Sequence, residues 1–276
     1  MKEINIDPFK GFEFGENWQS YLNVLSEEHI KESEKSLQNF LCENNLTDKT
    51  FLDIGSGSGI HSLAARRLGA KVLSFDIDQK SVECTKFLKY SHFPIDDNWQ
   101  IETGSIIDRE YIDNIGKFDI CYSWGVLHHT GRLWQAMFNA QLPLNNEGLL
   151  FVALYNDQGF ISACWRQVKK TYCAGNFGRW TIKAIFIPAF FIAGLFIDLF
   201  NLQNPLIRYH EHKKYRGMSL VHDWIDWLGG YPYQPAKPDE VIGFYENLGL
   251  KLIRYSNTRH GFGNNQYLFK KISHPA

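Results

Sequence analysis

The chain has 276 residues, 44% of them hydrophobic and 15% aromatic, which is enough to bury one large core. Its formal net charge is -1, so no global attraction to polyphosphate exists and no nucleic-acid partner is expected. The five cysteines are odd in number and contain no CxxC pair, which argues against a disulfide framework or a zinc cluster and predicts a cytoplasmic protein. The first residues contain no apolar h-region, so we expect no secretory signal.

The first predicted unit is an N-terminal helical cap over residues 1–46. Residues 16–43 place apolar side chains at roughly helical spacing, with acidic residues and lysines between them. Trp18 and Tyr21 lie at the start of this stretch. We expect the two rings to close over a ligand site as a lid.

Short apolar runs and helical stretches alternate through residues 47–157, in units of about 25 residues. Such alternation is typical of a parallel sheet with helices on both faces. It stops over residues 158–235 and returns as one helix and two strands in residues 236–276. We therefore predict an α/β, doubly wound, mostly parallel seven-stranded sheet with a helical and aromatic insertion after the fifth strand, the insertion forming a substrate or dimer region.

A glycine-rich segment, FLDIGSGSGIHS, follows the first predicted strand. Glycines are needed where the backbone turns sharply and where a ligand approaches the main chain. A dinucleotide site requires the spacing GxGxxG, and Ile60 and Ser62 stand where its last glycine would be. The spacing therefore disfavours an NAD-dependent oxidoreductase, and a tight turn without a ligand is the plain alternative.

The spacing acid-x-Gly-x-Gly-x-Gly resembles the first motif of the class I S-adenosylmethionine-dependent methyltransferases, and the resemblance extends over residues 50–156 and the last three elements. It implies a Rossmann-like methyltransferase fold and S-adenosyl-L-methionine as cofactor, with S-adenosyl-L-homocysteine as product. It also implies that the acid orients the amino-acid end of the cofactor and that the loop lies under it; these residues are Asp53, Gly55, Ser56, Gly57 and Gly59. Asn146, Glu147 and Gly148 replace the usual Pro-Gly-Gly turn before the fifth strand.

The second strand ends with Asp76, 23 residues after Asp53, where a carboxylate can accept both ribose hydroxyls. Asp78 is interpreted as the cap of the next helix. By resemblance, Ile77 lies against the adenine, and Ser105 and Ile106 lie on its other side. Many family members carry an acid where this chain has Ser105, which weakens the predicted contact with the adenine amino group.

The fourth strand runs into SWGVLHHTG, and the loop after it should lie over the reactive end of the cofactor. A hydroxyl acceptor must lose its proton, and histidine suits that work at neutral pH. His129 is the candidate general base or substrate anchor, with a structural role as the open alternative, and His128 is a supporting or packing residue. Adjacent histidines bind one ion poorly, so no metal is predicted. Trp124 contacts the cofactor or fills the core.

The insertion contains 14 uncharged residues from Ala184 to Ile197. As a helix they reach only about 21 Å, and Pro188 should kink them, so we predict that the segment does not span a membrane. Three interpretations stay open for residues 184–200: a buried lid helix, a homodimer contact, or a peripheral dip into a bilayer near a lipid-linked substrate.

Two further substrate candidates lie after this segment. Arg216 ends the basic run RYHEHKKYRG, which is either a solvated helix face or an anion site for the acceptor. His222 with Asp223 is a second candidate base, and the aromatic residues beside them form either core or the wall of a sugar site.

These observations predict methyl transfer from S-adenosylmethionine to an oxygen of a small metabolite, sugar-like or lipid-linked acceptor that carries an anionic group. A non-catalytic cofactor-binding protein of the same fold is the alternative from another class. An RNA methyltransferase is disfavoured, because neither a basic appendage nor an (N/D)PPY motif is present. Neither the acceptor nor the choice of O, N or C as methylated atom follows from the sequence.

Overall fold

The computed structural model describes residue 12 and residues 14–202, 204, 220–257 and 263–272, without the side chains of residues 222, 223 and 226. Its strands are β1 (Thr50–Ile54), β2 (Lys71–Asp76), β3 (Trp99–Thr103), β4 (Phe118–Trp124), β5 (Leu144–Tyr155), β6 (Leu250–Ser256) and β7 (Asn264–Lys271). The helices before and between the first five strands are α1 (Gly15–Leu22), α2 (Glu27–Leu41), α3 (Ile60–Arg67), α4 (Gln79–His92), α5 (Arg109–Asn114) and α6 (Leu133–Gln141). A 3₁₀ turn, Leu127–His129, precedes α6. The helices after β5 are α7 (Phe160–Cys173), α8 (Asn176–Phe200), α9 (Leu220–Gly229) and α10 (Pro238–Glu246).

The seven strands form one sheet in the order β3-β2-β1-β4-β5-β7-β6. The first five strands are parallel, and β7 runs antiparallel between β5 and β6. This confirms the predicted seven-stranded, mostly parallel sheet. The strand order reverses between β1 and β4, and ligands of such sheets bind at the carboxyl ends of the strands at that point. The glycine loop follows β1 and the histidine pair follows β4, so the topology brings both to the same crevice.

Side chains alternate between the two faces of the sheet because successive residues of a strand point in opposite directions. Phe51 and Tyr122 pack in the layer that contains buried residues of α2 and α3. Leu52 and Cys121 pack in the opposite layer, with buried residues of α6 and α10. The crevice is therefore built on a sheet that is covered on both sides.

The predicted insertion has an apolar cluster of its own, centred on Tyr172, Ile182 and Leu228. The chain returns to the sheet through residues 230–236, where Ala236 accepts a hydrogen bond from the Asp157 amide and donates one to the Tyr155 carbonyl. The division into 1–46, 47–157, 158–235 and 236–276 stays a prediction.

Helix α8 differs from its prediction in length and in exposure. It continues through Pro188 for 25 residues, about 37 Å, and among the described residues it is the helix long and apolar enough to cross a membrane. The predicted length was too short, because helical residues flank the uncharged core on both sides; the kink at Pro188 stays a prediction. The buried-lid alternative is also wrong, since most large apolar side chains of α8 are exposed; Phe200, for example, is 87% exposed.

Candidate active site

The glycine loop has a backbone that only glycine adopts without strain. Gly55, Gly57 and Gly59 have φ values of 74°, 55° and 83°, in the left-handed region. Space is limited as well, because a Cβ on Gly55 would lie 2.5 Å from Val126 and one on Gly59 would lie 2.8 Å from the Thr85 Cα. The glycine pattern thus reflects both backbone conformation and close packing. The side chain of Ser56 is buried and hydrogen-bonds to Thr85 at 3.0 Å.

Asp76 joins the glycine loop to the end of β2. Its Oδ2 accepts from the Gly57 amide at 2.9 Å, and its Oδ1 accepts from the Asp78 amide at 2.9 Å. Burial raises the pKa of Asp76 to about 6. Each carboxylate oxygen keeps a second lone pair, so this group can hold the loop and still accept hydroxyl donors.

Asp53 lies beneath the loop and takes part in a buried polar network. Its carboxylate is only 3% exposed and accepts from the Ser62 hydroxyl at 2.5 Å. Ser62 also bonds to Ser74, which accepts from the Trp99 indole at 2.8 Å. Burial raises the pKa of Asp53 to about 7. The network ties β1, β2, β3 and α3 together and was missed at the sequence level, because its serines look like ordinary polar positions.

The residues predicted around the adenine fall into two environments. Ile77 is 58% exposed just after β2, as a side chain that stacks on a ligand must be. Ser105 is half-buried, and its hydroxyl accepts from the Ile107 amide at 3.3 Å. The side chain of Ile106 is buried in the core and Asn139 donates to its carbonyl, so the predicted side-chain contact with adenine is corrected to a core role.

Helix α1 lies against the glycine loop. The Trp18 indole would be 3.0 Å from a Cβ on Gly57, and Tyr21 is buried with its ring centre 6.2 Å from that of Trp18. The Gly15 amide donates to Asp78 Oδ2 at 2.8 Å. Asp78 also caps α4 by accepting from the Lys80 amide, which confirms the predicted cap. Of the two predicted lid residues, Trp18 therefore contacts the loop itself, and Tyr21 packs beside Trp18.

His128 is fully buried after β4. Its ring centre lies 4.3 Å from those of His129 and Tyr155, and its Nδ1 accepts from the Tyr155 amide at 3.4 Å. Within the described part of the chain, its Nε2 has no hydrogen-bond partner. Burial holds the pKa of His128 well below its usual range, so the ring is neutral at physiological pH. These contacts favour the packing role that was predicted for His128.

His129 contacts the insertion and the N-terminal segment. Its Nδ1 donates to the Pro232 carbonyl at 2.7 Å, and its ring centre is 5.1 Å from that of Phe14. Burial, with the charge of Lys169 as a smaller cause, lowers the pKa of His129 to about 3. A group of such low pKa is a poor general base at neutral pH. The contacts favour the structural alternative that the sequence left open.

A buried lysine explains part of this low pKa. Lys169 of α7 is fully buried and donates to the Trp227 carbonyl. Its ammonium lies 4.5 Å from the Trp227 ring centre and 5.1 Å from that of Tyr233. The insertion therefore places a positive charge close enough to His128 and His129 to lower the pKa of both. Nothing in the sequence pattern indicated this charge.

Trp124, which was predicted as a site residue, packs beside His61, which was not predicted. Trp124 is 42% exposed at the end of β4, with its ring centre 6.0 Å from that of His61 in the first turn of α3. His61 Nδ1 bonds to the Ser33 hydroxyl at 3.0 Å, and burial lowers the pKa of His61 to about 4. The signal for His61 was its position directly after the glycine loop.

Two predicted substrate residues cannot be placed. Arg216 and the side chain of His222 lie outside the described residues. The nearby aromatic residues pack inside the insertion: Trp224 lies 5.4 Å from Phe190, and Trp227 lies 3.9 Å from Trp165, between ring centres. They form core there. Among the described residues, no cluster of three or more histidine, cysteine or acidic side chains could hold a metal ion.

Comparison with known proteins identifies the family. The model of the family described as "Methyltransferase domain" (Methyltransf_31) matches residues 46–193, which is over half of the chain. The chain belongs to this family of methyltransferase domains.

Individual relatives are more distant. The chain is 27% identical over 135 residues to the ubiquinone biosynthesis O-methyltransferase of Pelagibacter ubique (strain HTCC1062), covering 49% of this chain and 50% of that protein. It is 43% identical over 70 residues to the ribosomal protein L11 methyltransferase of Helicobacter hepaticus (strain ATCC 51449 / 3B1), covering 25% of this chain and 21% of that protein. The chain thus spans half or less of the length of these two relatives.

A solved structure matches the whole fold. Magnesium protoporphyrin IX methyltransferase from Synechocystis PCC 6803, solved with bound SAH, superposes with a TM-score of 0.56. The match covers 93% of this chain and 94% of that chain at 13% identity. At this identity the likeness concerns the fold alone.

Proposed function

We propose that this protein transfers the methyl group of S-adenosylmethionine to an oxygen of a small metabolite, sugar-like or lipid-linked acceptor. The observation that supports the proposal is a glycine loop that is hydrogen-bonded to Asp76 where the strand order of the sheet reverses. The chain that carries this loop belongs to a family of methyltransferase domains. When bound, the cofactor would supply a methyl group on a sulfonium, with S-adenosylhomocysteine as the leaving group.

The residues present fit this cofactor. The three left-handed glycines let the loop turn sharply without strain, and side chains of the protein pack closely against it where a Cβ would lie. Asp76 keeps acceptor capacity for the ribose hydroxyls, and the exposed Ile77 offers an apolar surface for the adenine. Asp53 and Ser62 hold the end of β1 and the start of α3 together beneath the loop. In this proposal Trp18 and Tyr21 cover the loop.

Three histidines that follow β1 and β4 have a lowered pKa. His128, His129 and His61 all have a depressed pKa, and for His129 and His61 it is about 3 and about 4. Such imidazoles are neutral but weakly basic, so alignment of the acceptor contributes more here than proton removal. We propose that these histidines align the acceptor and do not take its proton. Arg216 remains the proposed partner of an anionic group, and His222 a second substrate contact.

Calorimetric titration of the full chain with S-adenosylmethionine, S-adenosylhomocysteine and NADH tests the cofactor. We expect micromolar binding of the first two and no binding of NADH. The reverse result would support the oxidoreductase alternative, and no heat from any of the three would refute the cofactor proposal.

A second assay follows S-adenosylhomocysteine release with pools of carboxylate, hydroxyl and lipid-linked acceptors. Turnover with an oxygen acceptor would support methyl transfer. Cofactor binding without turnover in any pool would favour a non-catalytic binding protein.

A further inference from the structure

The exposed surface of α8 is apolar along almost its whole length. Large side chains that are between 46% and 87% exposed occur from its middle to its end: Ile185, Ile192, Leu195, Phe196, Leu199 and Phe200. No charged residue occurs from Ala184 to Ile197. Monomeric soluble proteins rarely expose contiguous apolar patches of this kind without a binding function.

The exposed part is too wide for a single protein partner. In each turn from Ile182 to Asp198, one or two positions contact the protein, and the other two or three are exposed. A helix that packs on another helix buries a stripe about 100° wide. A second copy seated on α8 would cover one such stripe and leave the rest in water, whereas lipid covers all exposed sides at once.

The protein packs against one side of α8 through Ile182, Phe186 and Phe190. Phe186 packs on Trp165 and Phe190 packs on Trp224, each at 5.4 Å between ring centres. Asp198 in the last turn is 2% exposed. A helix that spans a bilayer would have to carry this packed protein and the buried carboxylate into the hydrocarbon, at high cost. The geometry points to a helix that lies in the plane of the surface.

The first turns of α8 carry residues that suit the headgroup region. Trp180 is 69% exposed, Arg179 is exposed, and Lys183 is partly exposed. Tryptophan is enriched at membrane interfaces, and basic side chains are attracted to anionic headgroups. The basic side chains therefore lie near the start of the helix, and the exposed uncharged surface follows them.

We propose that this protein binds the surface of a lipid bilayer through α8, with the helix in the interface and its exposed apolar side chains at the boundary of headgroups and acyl chains. The binding does not depend on methyl transfer. Binding through α8 places the insertion, which contains Lys169, at the membrane surface.

Flotation of the full chain with vesicles tests the proposal. We expect the protein to float with phosphatidylcholine vesicles and more strongly when phosphatidylserine is added. Each large side chain made polar should weaken binding about tenfold, so the double variant Ile192→Ser, Phe196→Ser should stay at the bottom of the gradient. A second double variant, Leu195→Ser, Leu199→Ser, should also stay at the bottom of the gradient.

The matched control is Ile95→Ser, which changes a side chain that is 98% exposed between α4 and β3. It should float like the natural chain. Absence of flotation of the natural chain, or flotation of both double variants to the same extent as the natural chain, would overturn the proposal. Thermal unfolding followed by circular dichroism verifies that each variant is folded before it is scored.

Two further measurements decide between lipid and its competitors. Sedimentation velocity without lipid should show a monomer; a dimer that the double variants abolish would assign the surface to a second copy instead. An alkaline carbonate wash should release the vesicle-bound protein, and retention would contradict the in-plane geometry. A failure of cofactor binding changes none of these results, so the two proposals fail separately.

Discussion

Trp18 of α1 lies on Gly57 of the glycine loop, with the indole 3.0 Å from where a Cβ of residue 57 would be. The contact joins the N-terminal cap to the loop that is expected to carry the cofactor. Gly57 also donates its amide to Asp76, so the cap, the loop and the Asp76 carboxylate form one unit. A change in any of them should therefore affect the other two.

Substitution of Gly57 tests this unit. Gly57→Ala should lower the free energy of unfolding by about 1–2 kcal/mol, because φ is +55° and the added methyl meets the indole. In a Trp18→Ala background the loss should be smaller, since only the backbone strain remains. Denaturant unfolding of the four proteins in a double-mutant cycle measures the difference. Gly243→Ala in α10, where nothing lies within 4 Å, should be neutral or stabilising. Equal losses in both backgrounds would show that Trp18 does not pack on Gly57.

The buried carboxylate of Asp53 should make stability depend on pH. Its pKa is about 7 in the folded protein, compared with 3.8 for the ordinary group. Between these values the folded state binds the proton and the unfolded state does not, so the free energy of unfolding falls as pH rises from about 4 to about 7. Asp53→Asn should make this slope shallower, as measured by denaturant unfolding across that range; part of the slope should remain, because the pKa of Asp76 is also raised, to about 6. The exposed Asp97→Asn should keep the full slope, and an unchanged slope in Asp53→Asn would contradict the assignment.

Asp76 should control cofactor affinity. Asp76→Ala removes the acceptor for the ribose hydroxyls and for the Gly57 and Asp78 amides. Charge-assisted hydrogen bonds contribute about 1.5–3 kcal/mol each, so we expect S-adenosylhomocysteine to bind about 10- to 100-fold more weakly. Affinity in the natural chain should also rise with pH and level off above pH 6, because the pKa of Asp76 is about 6 and the ionised form is the better acceptor. Calorimetry at several pH values measures both effects. Asp113→Asn, an exposed change on α5, should bind normally, and equal affinity in Asp76→Ala would refute the role.

A substitution series at His129 separates a base from a positioning residue. His129→Ala loses the hydrogen bond to Pro232 and should reduce kcat and lower stability by about 1–2 kcal/mol. His129→Asn can still donate to that carbonyl and should recover much of the activity. The pH profile of kcat should show no titration of His129 near neutrality, because its pKa is about 3. A kcat limb near pH 6.5 that disappears in both variants would restore the general-base role.

The local parts of the molecule were predictable from the sequence. The alternation of strand and helix indicated seven strands and their order of appearance, because periodicity reports which side of each element is buried. The glycine loop and Asp76 were found for a similar reason. A left-handed backbone conformation and a carboxylate at the end of a strand can both be recognised within one short segment of sequence.

Contacts between distant segments were not predictable. His129 bonds to Pro232, and His61 bonds to Ser33, across separations that no spacing rule covers. Ile106 and Ile77 read alike as apolar residues after strands, yet one lies in the core and the other is exposed.

The sequence alone therefore determined the fold class, the family resemblance and the position of the cofactor loop, since these depend on local backbone preference and on the period of burial. Only the tertiary structure decided the protonation of the two histidines, the contact of Trp18 with the loop and the exposure of α8. Desolvation and nearby charge set a pKa, and packing sets exposure, and both depend on groups that folding brings together from far along the chain.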